Sequence, residues 1–243
     1  MNSWIYTDAD NTLWDTDALF AEAQLSLLSA AEHMLGVQAS TGDRLKFVRE
    51  FDQAVAARHH LRLRYPPALL VRVLLEGLTG IAPSAAADRA LADGAQPTGT
   101  ETEAIGVYSS IISGIPPILD GVLDGLQAAH RSGSPVYVIS EGPLETVRQR
   151  LRALEIEALT AGVLSAVKTP ELYARLKQRA APHRAYMIGD QLDRDIRFAR
   201  EGGLLTILVA GRFKPAWIQS ADTKYADAVV KDFLEAIRVV GRG

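Results

Sequence analysis

The sequence predicts an α/β fold: a parallel-sheet core interrupted near its start by an all-helical insertion. From Leu119 onward, short apolar runs alternate with amphipathic helical stretches. That is the pattern of a parallel sheet wound through right-handed crossovers. From Thr16 to Ser113 no stretch alternates with period two, and apolar residues recur at helical spacing instead. The apolar run that precedes the insertion, Trp4-Ile-Tyr-Thr7, stops at two carboxylates, Asp8 and Asp10.

Ser3 to Thr7 is short, aromatic and β-branched, which suits a buried strand. Thr16 to Leu35 carries Leu19, Phe20, Ala23, Leu27, Leu28, Ala31 and Leu35 along one side, an amphipathic helix that Gly36 is placed to end. A second helix is expected from near Thr41, burying Leu45, Val48, Phe51, Val55 and Ala56. Pro66-Pro67 breaks the chain before a helix over Ala68 to Leu78. A short helix fits Ala85 to Leu91, and Gly94 to Gly99 reads as a turn. Arg58, His59, His60, Arg62 and Arg64 form a basic group. Adjacent residues on a helix do not share a face, so a solvated surface is the plainer reading.

After Gly114 the texture changes. Pro116-Pro117 leads into a helix over Leu119 to His130, and Ser132-Gly-Ser-Pro135 turns the chain into Val136-Tyr-Val-Ile139. That continuous apolar run suits a buried parallel strand, and it ends in Ser140-Glu141-Gly142. A helix over Leu144 to Leu154 and a short strand near Leu159 to Val163 follow. Lys168-Thr169-Pro170 opens a helix to Arg179, with proline suited to a first helical position. The strand Ala185 to Ile188 ends in Gly189-Asp190, followed by Asp193 and Asp195. A helix then runs to Arg200, and Leu204 to Val209 makes another strand.

These signals place a core domain at residues 1–15 and 114–243 and a helical domain at 16–113. Hydrophobic content of 48% and charged content of 23% are ordinary for a globular protein. A net charge of −3 gives no general attraction to nucleic acid or anionic membrane. The absence of cysteine excludes disulfides, thiolate metal sites and a cysteine nucleophile. No apolar run reaches membrane-spanning length and no signal-like segment opens the chain, so a cytoplasmic protein is expected.

Three strands thus stop at polar groups: Asp8 and Asp10, Ser140, and Asp190. In a parallel sheet such ends lie along one edge, where ligands bind. Two carboxylates that share a strand face repel each other, so a cation is their natural third party. Read alone, each residue has a plainer use: Asp8 or Asp10 as a helix cap beside an Asn11-Thr12 turn, Ser140 as a cap, Lys168 and Asp193 as solvated surface.

The set Asp8-Ala-Asp10-Asn-Thr12, an apolar run ending in Ser140, Lys168, and Gly189-Asp190 through Asp195 resembles, in order and context, the four motifs of the haloacid dehalogenase (HAD) superfamily. The branch resembled is that of phosphohydrolases with a helical (C1-type) cap inserted after the first motif. The resemblance implies a HAD-like, Rossmann-like core, with Thr16 to Ser113 as the cap. It also implies an Mg²⁺-dependent reaction on a small phosphomonoester through an aspartyl-phosphate. Asp8 would be the nucleophile, and Asp10 the acid for the leaving alcohol and then the base for water. Asp8, the Asp10 carbonyl and Asp190 would hold Mg²⁺, with Asp195 assisting. Thr12, Ser140, Glu141, Gly142 and Lys168 would surround the substrate and its phosphate. Glu141 stands where the family often has Asn; its carboxylate either tunes substrate choice or points outward.

Asp10 also separates branches, because a departing halide needs no proton and an alkoxide does. The expected partner is a small phosphorylated substrate, with no nucleic acid and no membrane, on a monomer or homodimer. The competing readings are a mutase or other phosphotransferase on the same core, and a binding or regulatory protein that uses the cap surface.

Overall fold

A computed structural model of the protein describes residues 3–61, 65–94, 96–211 and 220–242. Chain contacts divide it into two compact units: the described residues up to Thr16 and from Ile115 onward, and Asp17–Gly114.

The first unit is built on six parallel strands, β1 (Trp4–Thr7), β2 (Val136–Ser140), β3 (Gly162–Ser165), β4 (Ala185–Gly189), β5 (Leu205–Val209) and β6 (Ala228–Val230). Their order across the sheet is β3-β2-β1-β4-β5-β6. The first strand therefore lies between two strands made far later. Thr7 aligns with Val138 on one side and with Ile188 on the other.

Side chains alternate between the two faces. Ile5, Val138, Ile188 and Ile207 point to one core, roofed by helices α6 (Val122–Arg131), α7 (Leu144–Ala153) and α10 (Phe233–Arg242). Tyr6, Ile139 and Met187 point to the other, covered by α8 (Pro170–Ala180) and α9 (Phe198–Glu201). Helices on both faces explain why these strands read as continuous apolar runs.

The second unit is helical: α1 (Thr16–Leu35), whose first residue closes the first unit, then α2 (Arg44–Arg58), α3 (Pro67–Leu78), α4 (Pro83–Asp93) and α5 (Gly99–Ile112). Its core is mainly aliphatic, with Leu27, Leu28, Val55, Leu70 and Leu74 all buried and Phe51, Tyr65 and Tyr108 among them. Three carboxylates of this unit, Glu32, Asp52 and Glu101, are buried as well. Asp52 accepts from Tyr65 Oη at 2.6 Å and from Gln53 Nε2 at 3.1 Å. Burial raises its pKa, and these hydrogen bonds only partly offset that.

The expected basic group resolves in part. Arg58 is paired with Asp88 at 2.7 Å. His59 caps α2 with extended backbone, so it has left the helix and its ring stacks on His60 at 4.4 Å. Arg62 and Arg64 lie outside the described residues.

Four elements differ from the sequence reading. The helix expected from Leu119 starts at Val122, because Gly121 takes φ +78° against Leu234 and Asp232. The third strand lies at Gly162–Ser165 rather than 159–163, since Glu157–Leu159 closes a 3₁₀ turn. Gly99–Ile112 forms a full helix beyond the expected turn. After β4 the helix opens with a π-turn, Leu192–Arg197. Among the described residues no helix is long and apolar enough to cross a membrane.

Candidate active site

The site is assembled at the carboxyl ends of the strands of the first unit. Asp8 follows β1 directly, and its N–H bonds to Ile188 O on β4 at 2.9 Å, which continues the ladder one residue past the strand. The chain then turns sharply. Asn11 takes φ +58°, a conformation that Asn tolerates better than most residues. The Asn11 and Leu13 N–H groups bond to Trp14 O and Ala9 O, both at 2.8 Å. The turn is pinned to the returning chain by Asp15 N–H to Pro117 O and Leu119 N–H to Leu13 O, at 2.8 and 3.1 Å.

Lys168 projects into this edge from the loop after β3. Its ammonium contacts Asp8 Oδ1 and lies 2.6 Å from Asp195 Oδ1. All three side chains are buried. The remaining oxygen of Asp195 accepts from Gln191 N–H at 3.0 Å. The π-turn aims Asp195 back at β4, so closely that a Cβ on Gly189 would sit 2.5 Å from the Asp195 Cβ. Gly189 is there because nothing larger fits.

Asp8, Asp190 and Asp195 each offer an oxygen within 4.8 Å of the others. Burial raises the Asp8 pKa to about 7, Lys168 works against the rise, and the charges of Asp195 and Asp10 add to it. Asp190 is pushed well above the carboxylate range by burial first, then by Asp8 and Asp195. Burial opposes the charge on Lys168, but Asp195 and Asp8 overcome it and raise its pKa. Asp8 Oδ2, Asp190 Oδ1 and Thr12 Oγ1 are buried with no partner among the described residues. Two unpartnered carboxylate oxygens in an oxygen-only cluster fit a hard divalent cation such as Mg²⁺.

The other expected residues divide into two groups. Ser140 is buried at the end of β2, and its Oγ accepts from Gly142 N–H at 3.0 Å. Glu141 is tied within the site's own loops: Oε1 accepts from Lys168 N–H at 3.1 Å, and Oε2 contacts the Arg194 guanidinium. It links the second, third and fourth motif segments to one another. Asp193 Oδ1 accepts from Arg194 N–H at 3.0 Å.

Asp10 is held by a separate set of donors. Its Oδ1 accepts from Trp14 Nε1 at 2.8 Å, Thr16 Oγ1 at 2.7 Å and Arg150 Nη1 at 3.0 Å. Sequence reasoning missed these three donors and Arg194. A capping-type Thr16 six residues on was a readable signal. Arg150 had none, because its partner lies 140 residues away.

Residues 155–236 match the family model described as HAD-hydrolase-like. Solved structures match over nearly the whole chain. One is assigned as a HAD hydrolase from Bacillus subtilis and is bound to magnesium; it is 15% identical, with a TM-score of 0.62 over 99% of each chain. Another is assigned as a β-phosphoglucomutase from Thermotoga maritima, 16% identical, TM-score 0.64, covering 100% of this chain and 99% of that one. A third is assigned by prediction as a phosphoglycolate phosphatase from Haemophilus somnus, 18% identical, TM-score 0.61 over 98% of each chain. The fold is that of the haloacid dehalogenase superfamily. No protein of curated function matches the chain by sequence. The HAD resemblance read from four short motifs is thus met by the family model over the second half of the core and by the architecture of the whole chain.

Proposed function

We propose that this HAD-like chain is an Mg²⁺-dependent phosphohydrolase that acts on a small phosphomonoester through an aspartyl-phosphate on Asp8. One observation carries the reading: Asp8 is buried at the strand edge with one oxygen held by Lys168 and the other without a hydrogen-bond partner among the described residues. A carboxylate steadied at one oxygen and free at the other is arranged for nucleophilic attack.

In the first step Asp8 bonds to phosphorus as the bond from phosphorus to the ester oxygen breaks, and Asp10 gives that oxygen a proton. In the second, Asp10 takes a proton from water, the water oxygen bonds to phosphorus, and the aspartyl bond breaks. Inorganic phosphate leaves and Asp8 is restored. Because Asp10 Oδ1 is engaged by three donors, Oδ2 is the oxygen that handles the proton. Lys168 offsets charge beside the nucleophile, while Ser140 and the Gly142 loop line the phosphoryl group. Asp8, Asp190 and the Asp10 carbonyl would hold Mg²⁺, with Asp195 behind them; the ion supplies the positive charge that phosphoryl transfer requires. The helical unit, inserted directly after the first motif, is proposed as the cap that selects the leaving group, and the partner as a small phosphorylated metabolite.

The test is hydrolysis of a panel of phosphomonoesters with and without Mg²⁺, with Asp8→Asn beside the wild type. Metal-dependent phosphate release lost in the variant is the expected result. Normal turnover by Asp8→Asn would overturn the mechanism, and transfer to a sugar phosphate instead of water would identify a phosphotransferase.

A further inference from the structure

Arg150 belongs to none of the motifs and lies 140 residues from Asp10 in sequence, yet it ends at this proposed acid and base. It lies in the last turn of α7, a helix held to the core by buried Val147 and Leu151. From there its Nη1 reaches Asp10 Oδ1 at 3.0 Å, with the arginine side chain only 11% exposed. The guanidinium also lies 6.0 Å from the centre of the Trp14 ring, which is fully buried and itself donates to the same Oδ1. Two of the three donors on Oδ1, Trp14 and Thr16, follow Asp10 by four and six residues in the same stretch of chain. Arg150 ties that carboxylate to a separate element, α7.

Exposed ion pairs contribute little, in part because both long side chains must be ordered. Here the arginine is already confined by burial and by the indole face, so that ordering cost has been met in folding. We infer that Arg150 is the positioning residue of this reaction: it fixes the Asp10 carboxylate through Oδ1 so that Oδ2 serves proton transfer in both half-reactions. The inference rests on the phosphohydrolase reading above.

A double-mutant cycle tests it, with Asp8→Asn as the control for that reading. Displacing a catalytic carboxylate forfeits much of its contribution, so Arg150→Met is expected to lower kcat on the order of 10- to 100-fold with KM nearly unchanged. Arg150→Lys, which keeps the charge without the planar fork, is expected to recover part of the loss. In an Asp10→Asn background, either Arg150 substitution should cost about nothing more, since residues that act as one unit are non-additive. Full kcat in Arg150→Met, or losses that multiply in the double variants, would reduce Arg150 to a structural role while leaving the Asp8 chemistry intact. Turnover that survives Asp8→Asn would instead overturn the reading itself, and this inference with it.

Discussion

Single side chains in this protein carry charge into places that water does not reach, and each is answered differently. Lys168 is answered by Asp8 and Asp195, a buried pair whose Coulomb gain exceeds what burial costs the ammonium. Asp52 in the helical unit has hydrogen bonds from Tyr65 and Gln53 and the charge of Arg49 in its favour, and burial still wins. Its folded-state pKa therefore lies above the unfolded value of about 4. Between those two values the folded state binds the extra proton, so stability falls as pH rises from about 4 through the raised value. Asp52→Asn keeps an acceptor for Tyr65 and removes the titration. Thermal unfolding of the variant should vary less with pH across that window, and an unchanged slope would refute the assignment. At this scale the sequence was readable for Asp8, Asp10, Lys168 and Asp190, because strand ends and short motifs mark them. It was silent on Arg150, which sits in a helix with Arg148 and Arg152 where helical spacing gives a face but no distant partner.

Among the elements, the segment after β4 does most to shape the site. Six residues in a π-turn turn Asp195 inward against Gly189, and single-turn π-helices are often found at functional sites. Gly189→Ala would force a methyl into the Asp195 side chain, 2.4 Å from its Oδ2. Overpacking of this kind is expected to cost about 1–3 kcal/mol and to pull Asp195 off Lys168. A lower urea midpoint checks it, and a midpoint equal to that of the wild type would show that the turn yields freely. Periodicity read this segment as an ordinary helix, since apolar Leu192 and Ile196 are four apart and the extra residue of a π-turn leaves no compositional mark. The helix α5 was also hidden, by Gly99, Gly106 and several Ser and Thr residues of low helix propensity. Its start was nonetheless written in the sequence as a capping box, Thr98 with Glu101.

Over the whole molecule, the cluster of Asp8, Asp190 and Asp195 holds more negative charge than Lys168 alone offsets. A cation that binds the folded state and not the unfolded chain stabilises it by mass action, about 2.7 kcal/mol at 100 times Kd. Mg²⁺ should therefore raise the unfolding temperature, EDTA should reverse the rise, and Asp190→Asn should shrink it. No Mg²⁺-dependent shift in the wild type would count against a cation site here. The overall architecture was the most legible part, because apolar runs and helical stripes alternate over many residues and average out local ambiguity. Strand order was not legible, since it depends on pairings across the chain.

That order has a consequence for how the protein is made. β1 leaves the ribosome first, but both of its neighbours, β2 and β4, follow the entire helical segment. Trp4, Ile5 and Tyr6 thus emerge as an unpaired apolar strand and stay so until residue 136 or beyond has been synthesised. The intervening helices can meanwhile collapse on local contacts, which form faster than distant ones. The nascent chain therefore completes its insertion before its centre, and the strand that leads into Asp8 is the one that waits longest for its neighbours.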